Sequence, residues 1–217
     1  MPDSSPARQR RKAERPQELL EAALALFVDK GLAATRMDDV ARQAGVSKGT
    51  LYLYYASKEE LFKAVVRHSL GGVIDEGLGI VDSWNGPTAE LLHQLAQTWW
   101  QRIEASGASG LFKLVVSEVG NIPELAEFYV REVLVPTHEL LGRAIRRGIE
   151  GGEFRAVDVN DVVHGLIAPA QFLALYRYCV GGSPHNPYPL NPGTYMKTQI
   201  DLLLHGLMAP PADRAVS

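Results

Sequence analysis

Cysteine is almost missing from this chain: Cys179 is the only one in 217 residues, which excludes an intramolecular disulfide and any paired-thiolate metal motif. Cys179 falls near the end of an apolar segment and reads as packing rather than as a reactive thiol. Long apolar runs are missing too. No stretch reaches the roughly 18–20 residues that a membrane-spanning helix needs. The basic N-terminus (Arg8, Arg10, Arg11, Lys12) is not followed by the apolar segment of a secretory leader. The six histidines, at 68, 93, 138, 164, 185 and 205, form no i,i+4 pair and no HExxH, so helical zinc chemistry is unsupported. No Walker-type glycine loop and no G-x-S-x-G occur. These absences argue against an enzyme and imply no catalytic residue, metal or cofactor. A reducing cytoplasm is the expected location.

Charge is divided unevenly. Residues 1–67 hold twelve Lys/Arg against nine Asp/Glu, whereas residues 68–217 hold ten against sixteen. A basic first third on an acidic body suggests that the N-terminal part alone meets a polyanion.

Residues 1–15 are polar and basic and are expected to form a disordered arm. A first helix is predicted from Pro16, through Leu19, Leu20, Ala23, Leu26 and Phe27, with Gly31 as its left-handed stop. A second opens at Thr35, with Asp38 three residues on as in a capping box, and ends at Gly45. Ser47 caps a third, and Ser57 with Glu60 opens a fourth. Past Leu70 the glycines at 71, 72, 77 and 79 interrupt the pattern, and a domain boundary is expected there. Further helices are predicted at 88–105, 109–120, 123–151, 158–180 and 192–208, with a loop at 181–193 and a disordered tail at 209–217. No alternating strand pattern of useful length appears. The fold expected is all-α, with about nine helices. A helix-turn-helix domain over 16–70 precedes a helical domain over 71–208.

The stretch DDVARQAGVSKGTLYLYY, Asp38 to Tyr55, has the spacing of a helix-turn-helix. Ala41 sits where the two helices cross, Gly45 in the turn, and Val46 and Leu51 lock the second helix onto the first. The second helix would enter a major groove, presenting Ser47, Lys48, Gly49 and Thr50. The positive end of that helix favours a phosphate. Tyr52 and Tyr54 are placed to reach the DNA backbone, and Lys58 and Arg36 are candidate phosphate clamps. Tyr55 reads as core.

The segment ELLEAALALFVDKGLAATRMDDVARQAGVSKGTLYLYYASKEELF resembles the N-terminal domain of the TetR (tetracycline-repressor-like) family of bacterial regulators. The likeness spans about 50 residues, including the GVSKGTLY core and the SKEEL helix start. Leu53 departs from the family, which often places His or another polar residue there; an apolar contact with a thymine methyl is one consequence, loss of the contact the other. The resemblance implies a homodimer on a pseudo-palindromic operator of double-stranded DNA. It also implies a ligand cavity in the C-terminal domain, and a repressor released by its inducer. LFKLVVSEVGNIPELAEFYVREVL resembles, more loosely, the C-terminal domains of one subgroup found near efflux or stress operons.

With that implied cavity in view, Trp99, Trp100, Phe112, Phe128, Tyr129, His138, Phe172 and Tyr176 are the candidate lining residues, with Glu118 and His138 as polar contacts for a hydrophobic or aromatic molecule. Trp99 and Trp100 are about 100° apart on a helix, so both cannot face the same way. The last two helices are the dimer surface that the resemblance implies, through Ala168, Ala170, Leu173, Ala174, Leu202, Leu203 and Leu207. Two other readings stay open. One is an all-α carrier or enzyme with a vestigial helix-turn-helix; the other is a regulator governed by a protein partner.

Overall fold

In a computed structural model, which describes residues 6–177 and 181–209, the chain is helical throughout, and no strand occurs among the described residues beyond one isolated bridge between Phe154 and Met208. The elements are α1 (Pro6–Lys30), α2 (Met37–Gln43), α3 (Lys48–Tyr54), α4 (Lys58–Val66), α5 (Gly72–Ser83), α6 (Thr88–Ser106), α7 (Ser109–Ser117), α8 (Pro123–Tyr129), α9 (Val135–Glu150), α10 (Val159–Tyr176) and α11 (Pro192–Leu207). Two π turns, Arg67–Gly71 and Val130–Leu134, join α4 to α5 and α8 to α9 without a break. Counted as rods, the described residues hold nine helices, as the periodicity predicts.

Local signals account for most boundaries. Ser47 Oγ accepts from Thr50 N at 3.1 Å and Ser57 Oγ from Glu60 N at 3.1 Å, so both serines cap as expected. Gly31 ends α1 with φ +87°. Three expectations differ. First, α1 begins at Pro6, ahead of Pro16; the intervening ARQRRKAER is made of good helix formers. Second, Thr35 does not cap α2, which starts at Met37 after Arg36. The Thr35 hydroxyl instead donates back to Leu26 O (3.2 Å) and Gly31 O (2.7 Å), fastening the α1–α2 turn. Third, the glycines after Leu70 do not interrupt the helix. Ile74, Gly77 and Val81 recur at helical spacing on the buried face of α5, and packing there outweighs the weak propensity of glycine. The π turn ahead of Gly72 takes up the mismatch between the two halves of the rod. In the other rod the π turn precedes Pro136, which lacks the N–H that a regular turn would use. The two π turns pack side by side, with Arg67 Nε 3.2 Å from a Glu132 carboxylate oxygen across them.

Three apolar clusters organise the body. The largest runs from Leu19, Phe27 and Leu51 through Leu61, Phe62, Val65 and Val66 to Leu111, Leu114, Leu125 and Phe128. It therefore joins α1–α4 to α7 and α8. A second, with Leu91, Leu92, Leu140, Ala144, Ile145 and Phe154, binds α5, α6 and α9 to α10 and α11. Trp100, Ala170, Leu173 and Met196 form the third. Cys179 and residues 1–5 and 210–217 lie outside the described residues.

Gly148 on α9 lies flat against Phe154: a Cβ there would fall 2.2 Å from Phe154 Cδ2. Gly148→Ala should therefore lower the melting temperature, although alanine favours a helix by about 1 kcal/mol, because overpacking a tight core costs roughly 1–3 kcal/mol. Thermal unfolding followed by circular dichroism checks this; an unchanged or raised midpoint would show that Phe154 can yield freely.

Candidate nucleic-acid interface and ligand cavity

Two features stand out: an exposed helix face at one end of the molecule and an apolar cavity behind it. The face is built on the α2–α3 pair. Gly45 takes φ +66° in the turn, a conformation costly for any residue with a side chain. Val46 N then bonds Ala41 O at 2.9 Å. Val40, Ala41 and Leu51 are buried beneath, so the crossing of α2 and α3 is fixed by packing. Opposite that core, Arg36, Ser47, Lys48, Gly49, Tyr52, Leu53 and Tyr54 are exposed, and Thr50 and Lys58 are half-buried. Tyr55, set in the core as expected, is half-buried and packs against the apolar cluster.

Charge on this face is held in place. Lys48 Nζ lies 2.7 Å from Asp38 Oδ1 and 5.9 Å from the Tyr52 ring centre; its hydrogen bond and charge pairing with Asp38 raise its pKa. The pair is open to solvent, so a phosphate can compete for the lysine. Lys58 Nζ donates to Ala33 O at 3.0 Å, which sets its charge beside the α1–α2 turn.

The cavity has a volume of about 130 Å³. Its wall combines Leu70, Val73, Ile74 and Gly77 of the α4–α5 rod with aliphatic side chains of α6, α9, α10 and α11. Of the nine candidates from the sequence, Trp99, Phe112 and Tyr129 line it. Trp99 and Phe112 meet at a tilt of 57°, with ring centres 5.8 Å apart. Burial pushes the Tyr129 phenol up to about 12, so it stays neutral and able to donate at any physiological pH. Thr98, Thr137 and Gln171 supply the other polar groups.

Residues 19–65 match the family described as bacterial regulatory proteins, tetR family, and residues 85–187 match the tetracyclin repressor-like C-terminal domain. The HTH-type transcriptional repressor KstR2 of Mycobacterium tuberculosis (strain H37Rv) is 31% identical over 166 residues, 76% of this chain and 82% of that protein. This chain belongs to the TetR family. KstR2 of Rhodococcus jostii (strain RHA1) is 29% identical over 201 residues, 92% of this chain and 94% of its own. Among solved structures, the ketosteroid transcriptional regulator KstR2 of M. tuberculosis superposes with a TM-score of 0.68 at 27% identity, over 91% of this chain and 96% of that one. The regulator FadR of Bacillus subtilis, solved with stearoyl-CoA, has a TM-score of 0.73 at 19% identity, over 88% and 98%, and shares the fold. The exposed α2–α3 face is thus that of a TetR-type DNA-binding helix-turn-helix.

Six expected cavity residues lie elsewhere. Trp100, one position past Trp99, turns away into a groove between α6 and α11 with Met196 and Lys197. Phe128 is buried in the first core beneath the Arg67 guanidinium, 4.8 Å from its ring. His138 meets the edge of His164 at 4.6 Å between ring centres, where burial lowers its pKa. Phe172 is half exposed against Tyr176 and Tyr195. The Tyr176 hydroxyl donates to Tyr188 O at 2.8 Å and accepts from Asn186. Glu118 faces the DNA-binding unit: its two carboxylate oxygens accept from Leu32 N (2.9 Å) and Ala33 N (2.8 Å) in the α1–α2 turn. Aromatic residues are the more conspicuous signal in the sequence, whereas most of the wall is aliphatic, above all Leu70, Ile74 and Leu140.

Four expected dimer residues are also turned inward. Ala170, Leu173, Ala174 and Leu207 are 7%, 1%, 1% and 3% exposed within one chain. The helical repeat places them toward neighbouring helices, and Ala170 lines the cavity. Leu203 is half-buried against Gly165. Ala168 and Leu202 do face outward, in company with Phe172.

Glu118 supplies both acceptors for two amides that no helix satisfies. Glu118→Ala should cost about 1–2 kcal/mol, with the carboxamide of Glu118→Gln intermediate because it offers one acceptor. Faster hydrogen exchange at the Leu32 and Ala33 amides is the expected signature; unchanged exchange would show that water replaces the carboxylate at no cost.

Proposed function

We propose that this TetR-family chain works as a homodimeric repressor that leaves a pseudo-palindromic operator when a hydrophobic or aromatic small molecule enters its cavity. One observation carries the reading. Leu70, Val73, Ile74 and Gly77 of the cavity wall belong to the same unbroken rod as α4, whose buried face supports α1 and the helix-turn-helix.

A cavity of about 130 Å³ is below the roughly 300–1,000 Å³ of most small-molecule sites. An inducer of ordinary size therefore pushes its walls apart, and the rod is one of them. A second path runs through α7: Phe112 touches the cavity, and Glu118, just past the end of α7, holds the α1–α2 turn. A ligand that fits the expanded state better shifts the population toward it and, by linkage, away from DNA. The lining of Leu, Ile and Val with few polar groups suits an apolar body, in keeping with the name ketosteroid regulator borne by one relative. Arg36, Ser47, Lys48, Thr50, Tyr52, Tyr54 and Lys58 are proposed to meet DNA. The outward apolar groups of α10 and α11, Phe172 (50% exposed) and Leu202 (64% exposed), are proposed to meet a second copy. The protein acts in the cytoplasm, on the nucleoid when bound.

Gel retardation with duplex DNA from upstream of the protein's own gene should show binding whose log affinity falls linearly with log salt. Lys48→Ala should reduce that slope by about one. Ala96→Phe, which fills the cavity from α6, should mimic the inducer and weaken binding at least tenfold in the absence of any ligand. Binding insensitive to salt would contradict the DNA reading, and full affinity in Ala96→Phe would contradict the coupling.

A further inference from the structure

The recognition helix α3 has one fully buried anchor, Leu51. At 100° per residue, Gly49 and Leu53 each lie about 160° around the axis from it. These two positions, one turn apart, form the ridge farthest from the protein. Leu53 is 85% exposed. A Cβ on Gly49 would meet nothing nearer than Ser47 Oγ, at 3.8 Å.

The polar side chains of α3 stand on its flanks and have local partners. Lys48 is drawn aside to Asp38 and over the Tyr52 ring. Thr50 Oγ1 lies 2.8 Å from the capping Ser47 Oγ. The Tyr54 ring leans on Tyr55 at 6.4 Å. The strip that reaches deepest into a major groove therefore carries no side-chain donor or acceptor, only an isobutyl group beside a gap at Gly49. The one apolar group on a base edge in that groove is the C5-methyl of thymine. Against a cytosine amino group or a guanine oxygen, the same leucine would strip water from a polar atom and return nothing.

We infer that Leu53 is a specificity-determining residue that selects thymine in each half-site by contact with its methyl group, and that the missing side chain at Gly49 lets the helix come close enough to make it. The inference rests on the DNA-binding reading above and concerns which base is read, not whether DNA is bound.

Selection from a random duplex library with the full-length protein tests it. The wild type should enrich a two-fold sequence with one invariant thymine per half-site. Replacing that thymine by deoxyuridine removes the methyl alone. It should weaken wild-type binding about fourfold per half-site, and about fifteenfold with both half-sites changed, as expected from one buried methyl-sized group of about 0.8 kcal/mol. Leu53→Ala, confirmed folded by circular dichroism, should bind the thymine and deoxyuridine duplexes equally while keeping the rest of the selected sequence. Equal wild-type affinity for the two duplexes overturns the inference, as does discrimination that survives in Leu53→Ala. Failure of the wild type to enrich any sequence overturns the DNA-binding reading itself, so the two failures are distinct.

Discussion

Leu61, Phe62, Val65 and Val66 of α4 sit in one apolar core that has Leu19, Ala23 and Phe27 of α1 on one side and Leu111, Leu114 and Leu125 of α7 and α8 on the other. All of these are at most 1% exposed, and each fully buried leucine or phenylalanine is worth roughly 1.5–3 kcal/mol. The DNA-reading unit is therefore held on the body by shared packing and not merely by a covalent linker. Polar ties around the rim add direction. Lys63 bridges Glu60 and Glu124, Arg67 pairs with Glu132 over Phe128, and Glu118 holds the α1–α2 turn. Such contacts are directional and set register, whereas the apolar burial sets strength.

This arrangement gives the cavity a mechanical relation to the DNA face. The rod from Lys58 to Ser83 begins in the shared core and ends against α6 and α9, passing the cavity on the way. Its π turn lies next to the π turn of the second rod. Close-packed interiors move between discrete arrangements rather than deforming smoothly, so in the proposed mechanism a widened cavity displaces the rod as a body. The recognition helix α3 is the element directly before that rod in the chain, so on the proposed reading it moves with it.

Much of this was legible in the sequence where the determining physics is local. Gly45, Ser47 and Ser57 announce a turn and two caps by their own chemistry, and the apolar spacing marks the helices. What escaped depends on distant partners. Gly71 and Gly72 look like a break until Ile74 and Val81 are seen packed, and no local rule says that a π turn will carry the helix across. Glu118 looks like a free carboxylate 85 residues from the amide of Ala33 that it accepts from. Ala170 and Leu173 look like a dimer seam because small and apolar residues serve both internal and external packing. The cavity lining comes from several helices at once, so only their relative rotation separates Trp99 from Trp100.

The shared core can be tested directly by cutting it on the body side and listening on the DNA side. Leu111→Ala removes a fully buried side chain of α7, a change that ordinarily costs about 2–5 kcal/mol. Amide hydrogen exchange of the full-length variant should show protection falling in α1 and α4 together with α7. Protection lost in α7 alone, with α1 and α4 exchanging as in the wild type, would contradict a common core and make the helix-turn-helix an independent unit.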